Sequence, residues 1–117
     1  MKIVYSTTKL EKKCSNLKNA KREYGDKVGE KLLATIFFIK NAKNLEDVKK
    51  IPTYRLHDLK GDRKGQFAID LGKTLGYRLI LKPIDKETGE EIIWDDINEL
   101  YKMTEVVFIL EVSNHYE

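Results

Sequence analysis

The part of the chain that most constrains its fold is a predicted β-hairpin in the middle of the sequence, at residues 54–70. Apolar and polar residues alternate in two runs, Tyr-Arg-Leu-His at 54–57 and Phe-Ala-Ile-Asp at 67–70, with the period of two expected of half-buried strands. Gly61 and Gly65 bracket a basic turn, Asp-Arg-Lys, so the tip can adopt positive φ angles. The hairpin thus combines a histidine with a cationic turn, which suits binding a phosphate and moving a proton.

The sequence on either side of the hairpin predicts helices first and further strands afterwards. Lysine-rich segments with apolar residues at helical spacing run from Thr8 to Tyr24 and onward from Asp26, and Gly25 between them is typical of a helix end. We expect one α+β domain over residues 1–117, an N-terminal helical hairpin packed on a mostly antiparallel, twisted sheet of about 4–5 strands. The other expected elements are an edge strand at 2–6, a helical turn at 45–50, a strand at 77–82 that Pro83 ends, a helix at 92–103 and a last strand at 106–112.

Charge divides the chain into a basic body and an acidic final third. Residues 1–82 hold 20 Lys and Arg against 9 Asp and Glu, whereas residues 83–117 hold 2 against 10. A basic body favours polyanionic partners, of which nucleic acid is the commonest. The single cysteine, Cys14, lies on an apolar helix stripe and is typical of a reducing compartment. Since no apolar run approaches the ~20 residues of a membrane span and no signal-peptide core follows Met1, we expect a soluble cytoplasmic protein.

The candidate acid–base residues are the two histidines, His57 and His115. In regular strands His57 shares its sheet face with Arg55, His115 joins the polar positions of the last strand, and Arg78 also points away from the helix-packed core. Two histidines can exchange protons near neutral pH without a metal, and Arg and Lys stabilise charge developing on a phosphate. This set suits RNA strand scission by the ribose 2′-hydroxyl, which DNA lacks. The sequence contains no metal-ligand cluster or phosphate-binding glycine motif, so no metal or cofactor is expected.

The same hairpin carries a motif, Leu-His-Asp-Leu-Lys-Gly-Asp-Arg-Lys-Gly at residues 56–65, followed by Phe67 and later by Gly-Tyr-Arg-Leu-Ile at 76–80. This pattern resembles the signature of HigB-type toxins, which belong to the RelE/ParE superfamily of toxin–antitoxin systems. The resemblance is close over residues 56–81 and loose over the N-terminal helices, and the C-terminal third departs from the usual pattern.

The resemblance implies a RelE/ParE-like toxin that is a ribosome-dependent, metal-independent endoribonuclease (an mRNA interferase) acting on translated messenger RNA. The residues that match the family's catalytic positions are His57, Lys60, Arg78 and His115. The resemblance also implies a cognate helix-turn-helix antitoxin of the HigA type, with operator DNA bound only through that antitoxin.

The end of the chain departs from the family ending, Asp-Tyr-His. Ser113 stands in place of the aspartate and Asn114 in place of the tyrosine, while Tyr116 follows the histidine. The candidate RNA-binding residues are Arg55, Arg63, Lys64, Asn114 and Tyr116. Two interpretations stay open beside the nuclease: a non-enzymatic ParE-like toxin that binds DNA gyrase, and an RNA-binding regulator without catalysis.

Overall fold

A computed structural model describes residues 1–72 and 75–114 of the chain. Its elements, in chain order, are β1 (Lys2–Tyr5), α1 (Thr8–Ser15), α2 (Leu17–Tyr24), α3 (Asp26–Asn41), α4 (Leu45–Lys49), a 3-10 turn (Pro52–Tyr54), β2 (His57–Asp58), a second 3-10 turn (Gly61–Arg63), β3 (Phe67–Asp70), β4 (Tyr77–Ile84), α5 (Ile97–Met103) and β5 (Val106–Asn114).

The five strands in the described part of the chain form one mixed sheet in the order β1-β5-β4-β3-β2. β1 runs parallel to β5, and the other three pairings are antiparallel. The expected α+β class, the largely antiparallel sheet and the N-terminal edge strand are therefore confirmed. The last strand, β5, lies inside the sheet because it pairs with β1 on one side and with β4 on the other.

The N-terminal helical region differs from the two-helix hairpin predicted for it, and that arrangement is not confirmed. The chain begins with β1, and three helices follow because Asn16 divides the first predicted helix into α1 and α2. The Asn16 backbone is extended, and its side chain accepts a hydrogen bond from the Asn19 amide, which makes it the N-cap of α2. Thr7 caps α1 in the same way by accepting from the Leu10 amide.

Helices α2 and α3 approach each other closely at Gly29. A Cβ on Gly29 would lie 2.7 Å from the Lys21 backbone nitrogen and 2.9 Å from the Lys21 Cα. Because these are backbone atoms of a packed helix, they cannot move aside as the end of a flexible side chain could. Glycine is therefore required at this contact.

The hydrophobic core lies between the helices and one face of the sheet. The sheet contributes alternate residues of its three inner strands, each fully buried: Phe67, Ile69, Leu79, Leu81, Val107 and Ile109. Cys14 is also fully buried there, as predicted, and burial raises the pKa of its thiol to about 12. The buried apolar side chains of the five described helices all belong to this core. The intervening positions of the strands lie on the opposite side of the sheet, which we call the outer face.

Two predicted strand boundaries are wrong. The first hairpin strand is expected from Tyr54, but Pro52–Tyr54 forms a 3-10 turn and only His57–Asp58 pairs with β3. Pro83 does not end β4, which continues to Ile84 with Pro83 paired to Val107. The Pro83 carbonyl accepts a hydrogen bond from the Ile92 amide at 3.5 Å, on the side of β4 that faces away from β5. The missing N–H of Pro83 points to that same side, away from β5, so the β4–β5 ladder is not interrupted.

Exposure also corrects two helix predictions. The helix expected over 92–103 begins only after Asp96, whose side chain accepts from the first amides of α5, and Ile93 before it is 98% exposed. Phe37 lies among the apolar residues that follow Asp26 at helical spacing, yet it is 70% exposed in α3. Apolar spacing alone does not distinguish such positions from core positions.

Candidate active site

Some of the polar residues singled out in the sequence lie on the outer face, and others do not. Strand register places one row across the sheet through His57, Ala68, Ile80 and Glu111. The neighbouring row is formed by Asp70, Arg78 and Ser113. Strands β2 to β5 thus bring together on one face residues that are up to 56 positions apart in the chain, from His57 to Ser113.

The imidazole of His57 is held by its own backbone neighbourhood. Its Nδ1 lies 2.6 Å from the backbone carbonyl oxygen of Arg55. Because a carbonyl oxygen only accepts hydrogen bonds, Nδ1 carries the proton and donates. In the neutral ring Nε2 is then left with a lone pair, and in the imidazolium Nε2 is a second donor. The contact therefore leaves Nε2 as the ring nitrogen that is available for a proton transfer.

Arg55 has an unusual backbone conformation that makes this contact possible. Its φ of 46° and ψ of 47° are left-handed, and it is the one non-glycine residue with positive φ in the described ranges 1–72 and 75–114. A left-handed conformation costs a non-glycine residue roughly 1–2 kcal/mol, and such costs persist mainly at functional sites. Arg55 therefore lies in a turn and not in a regular strand, which is a correction to the predicted strand face.

The Arg55 side chain reaches the outer face from its turn through an ion pair with Asp70. Its Nε donates to Asp70 Oδ2 at 2.7 Å, and the hydrogen bond and charge of Asp70 raise the pKa of the guanidinium. Asp70 is the more buried partner, with 14% of its side chain exposed against 61% for Arg55. A cavity of about 350 Å³ opens beside the pair, lined by Lys31, Pro52, Thr53, Arg55, Asp70 and Gly72.

Arg63 connects the hairpin turn to β5. Its guanidinium donates to Gln66 Oε1 at 2.7 Å and to Glu111 Oε2 at 2.8 Å. Strands β3 and β4 lie between the turn and β5, so this ion pair spans both strands. Ala68 and Ile80, their outer-face residues in the same row as Glu111, are fully buried. Arg63, a predicted RNA contact, is therefore oriented over the outer face while its charge is shared with a carboxylate.

The two turn lysines are placed differently. Lys60 Nζ lies 3.2 Å from Asp58 Oδ2, and 86% of the Lys60 side chain is exposed. Asp58 pairs in register with Phe67, a core residue, so it belongs to the other side of the hairpin from His57. Lys64 is exposed at the end of the turn. The structure thus gives no direct contact between Lys60 and His57.

Arg78 has an unpaired hydrogen-bond donor. Its side chain is half-buried in β4, and its Nε is buried without a partner in the part of the chain that the structure describes. An unsatisfied buried donor costs free energy.

The C-terminal candidates are only partly covered. His115 and Tyr116 lie outside the described residues. Asn114 ends β5 and is paired in register with Tyr77, which packs on the core side. Asn114 therefore stands on the helix side of the sheet, in contrast to Ser113 on the outer face, and the structure does not bring it to His57.

Sequence reasoning assigned roles to the cations and histidines but not to the acceptors that hold them. Asp70 positions Arg55, and Gln66 and Glu111 position Arg63. The position of Glu111 could have been predicted, because strand alternation puts it on the same face of the sheet as Ser113. No signal in the sequence indicated that Arg63 would span two strands to reach it.

The five-stranded mixed sheet with its helical layer is a fold that the chain shares with a solved toxin structure. The chain is similar over nearly its full length to a YoeB/ParE toxin from Agrobacterium tumefaciens, with a TM-score of 0.53 and 13% identity over 99% of this chain and 100% of that chain. No protein-family model matches the sequence, and no curated protein matches it significantly. The similarity establishes the fold, and the HigB subtype stays a prediction.

Two further properties belong to residues 1–72 and 75–114. No helix there has the length and apolar character needed to cross a membrane. In the same ranges, no group of three or more His, Cys, Asp or Glu is arranged to hold a metal ion.

Proposed function

We propose that this protein is the toxin of a type II toxin–antitoxin system and a ribosome-dependent endoribonuclease of the HigB type. The observation that carries the proposal is the His57 ring, fixed by the Arg55 carbonyl at 2.6 Å, on a face that also carries Arg78 and Arg63. A histidine of defined tautomer beside several guanidinium groups suits general acid–base chemistry on a phosphodiester.

In the proposed reaction, the ribose 2′-hydroxyl loses a proton and attacks the adjacent phosphorus. The bond to the 5′-oxygen breaks, and that oxygen takes up a proton. His57 Nε2 performs one of these two transfers, and the resemblance assigns the other to His115. Arg78 and Lys60 stabilise the extra negative charge of the transition state.

The cations reach the phosphates by exchanging partners. The Lys60 side chain is 86% exposed in its pair with Asp58, and Arg63 and Glu111 are 35% and 46% exposed. Ion pairs that water reaches contribute little net stability. A phosphate oxygen can therefore replace either carboxylate at small cost. Lys64, Arg55, Asn114 and Tyr116 remain proposed RNA contacts, the last two from the resemblance.

The partners follow from the same proposal. A free nuclease of this kind would stop growth, so we propose a cognate HigA-like helix-turn-helix antitoxin that restrains it in the cytoplasm. Operator DNA would be bound through the antitoxin, and the ribosome would present the messenger RNA.

The decisive experiment is brief expression of the protein followed by mapping of messenger RNA 5′ ends, with His57→Ala as the inactive control. Cuts within translated codons that disappear in the control are the expected result. Co-expression of the adjacent antitoxin gene should restore growth.

A second candidate is a ParE-like toxin that binds DNA gyrase without catalysis. It is favoured by the name of the structural neighbour, which covers both toxin types, and by the missing Asp-Tyr element at Ser113 and Asn114. Intact messages together with DNA damage and unchanged toxicity of His57→Ala would establish this candidate and exclude the nuclease.

A further inference from the structure

Phe108 lies on the outer face, although an aromatic residue in an apolar strand would be expected in the core. It pairs in register with Lys82 of β4 and with Val4 of β1. Its strand neighbours Val107 and Ile109 are fully buried in the core, whereas Phe108 is only half-buried. An aromatic ring on this side of the sheet is therefore not explained by core packing.

A cation accompanies this ring. Lys82 Nζ lies 5.4 Å from the centroid of the Phe108 ring. Within the ranges 1–72 and 75–114, Lys82 makes no ion pair, and Phe108 makes no contact with another aromatic ring. The Lys82 ammonium thus has no carboxylate partner among these residues, and it lies over the ring of Phe108.

We propose that Phe108 and Lys82 form a binding site for one nucleotide of single-stranded RNA, with the base stacked on Phe108 and a phosphate at Lys82. The inference rests on the proposed function, because it takes RNA as the substrate. Base–aromatic stacking combined with a positively charged track is the usual way in which single strands are bound without sequence readout.

Position on the sheet supports this assignment. Ile80 and Lys82 are two residues apart in β4, so the Phe108 row lies roughly 7 Å from the row of His57 and Glu111. His57 and Phe108 stand three strands apart, which places their Cα atoms on the order of 16 Å from each other. A single nucleotide at His57 does not cover that distance, whereas a strand of several nucleotides does. The site therefore holds a base away from the cleaved bond.

Binding requires the Lys82 ammonium to leave the ring face. An exposed cation–π contact is weaker than base stacking on the same ring, so a base displaces the ammonium. The displaced ammonium then lies beside the incoming backbone and can pair with a phosphate. The alternative is that the Lys82 stem only shields Phe108 from water, and the two accounts predict different binding behaviour.

The test uses the His57→Ala protein, so that RNA is bound but not cut. Fluorescence anisotropy measures the affinity for a labelled adenylate hexanucleotide, and competition measures the affinity for adenosine 3′-monophosphate. Phe108→Leu keeps apolar volume and removes the ring, Phe108→Tyr keeps the ring, and Phe37→Leu on α3 is the matched control for an exposed phenylalanine.

Phe108→Leu is expected to weaken hexanucleotide binding ~5- to 100-fold, the range for loss of one base-stacking ring, and to leave mononucleotide binding unchanged. Phe108→Tyr and Phe37→Leu should bind as the parent does. Lys82→Gln should reduce the slope of log affinity against log salt by ~0.7, as for one phosphate contact on a single strand.

Equal hexanucleotide affinity in the parent and in Phe108→Leu would overturn this inference and leave the proposed function intact. An equal loss for mononucleotide and hexanucleotide would also overturn it, because the substitution would then act on the whole site. If the wild-type protein neither binds the hexanucleotide nor cuts a ribosome-bound message, the proposed function fails and this site fails with it.

Discussion

The left-handed conformation of Arg55 can be tested by two substitutions that separate its backbone from its side chain. Arg55→Gly and Arg55→Val both remove the ion pair with Asp70. Only glycine accepts the observed φ of 46° without strain. The pair of variants therefore isolates the effect of holding the backbone carbonyl against His57.

The expected stabilities follow from the structure. Both variants leave the carboxylate of Asp70, which is 14% exposed, without its ion pair, so this cost is the same in the two proteins and cancels when they are compared. The glycine variant is relieved of roughly 1–2 kcal/mol of backbone strain, and the greater freedom of glycine in the unfolded chain offsets part of this gain. Valine, which is β-branched, should be less stable than glycine by about 1–3 kcal/mol.

The expected activities differ in the same direction. With valine the carbonyl of residue 55 moves, His57 loses its fixed tautomer, and single-turnover cleavage of a ribosome-bound message should slow by up to ~10²–10⁴-fold. With glycine the rate at saturating enzyme should stay near the parent value, and only RNA affinity should fall. Urea denaturation followed by circular dichroism supplies the stabilities.

Thr53 provides the control, because it lies in the preceding turn and has no positive φ. Glycine should have no advantage over valine at position 53. If Arg55→Val is as stable and as active as Arg55→Gly, the argument that the left-handed backbone positions His57 is refuted.

Four other predictions follow from the structure. His57→Ala should slow cleavage ~10²- to 10⁴-fold with an unchanged circular dichroism spectrum, because His57 is not a core residue; full activity in the folded variant excludes the mechanism. Arg63→Ala and Lys64→Ala should each reduce the salt dependence of RNA association by a slope of ~0.7, and slopes equal to the parent's would show that neither touches phosphate. Gly29→Ala should lower the free energy of unfolding by about 1–3 kcal/mol in urea denaturation, because overpacking outweighs the ~1 kcal/mol gain in helix propensity; an unchanged midpoint would contradict the close helix contact. Burial raises the pKa of the Cys14 thiol to about 12, so the free energy of unfolding should fall as the pH rises from ~8.5 towards that value, by up to ~1.4 kcal/mol per pH unit. Cys14→Ala should remove this pH dependence from the free energy of unfolding, and identical pH curves for the two proteins would refute the prediction.

The sequence predicted the fold class because the strands in the second half alternate regularly. β3 and β5 were located from that alternation and from their β-branched and aromatic residues. The N-terminal helices were harder, since Asn16 is a weak signal within a long helical pattern and breaks the helix only through its cap. Pro83 was misjudged because a proline ends a strand only if its missing N–H faces a partner.

The candidate site was predictable in composition but not in geometry. His57 and Arg78 were placed by strand parity, which a register of paired strands preserves. The left-handed backbone conformation of Arg55 was not predictable from the sequence, because arginine does not prefer it and the surrounding structure imposes it. The bridge from Arg63 to Glu111 depends on which strand lies at the centre of the sheet, and a single sequence does not contain that information.

The position of β5 has a consequence for how the chain acquires its structure. β1 at residues 2–5 finds its only strand partner among the described residues more than 100 positions later, in Val106–Ile109. Such distant pairing makes folding slow, because a long loop must close before the contact forms. A chain interrupted anywhere before Val106 leaves both β1 and one side of β4 unpaired and lacks Glu111 and Ser113 of the outer face. Incomplete chains are therefore expected to lack the proposed nuclease activity, which requires β5 to have paired with both β1 and β4.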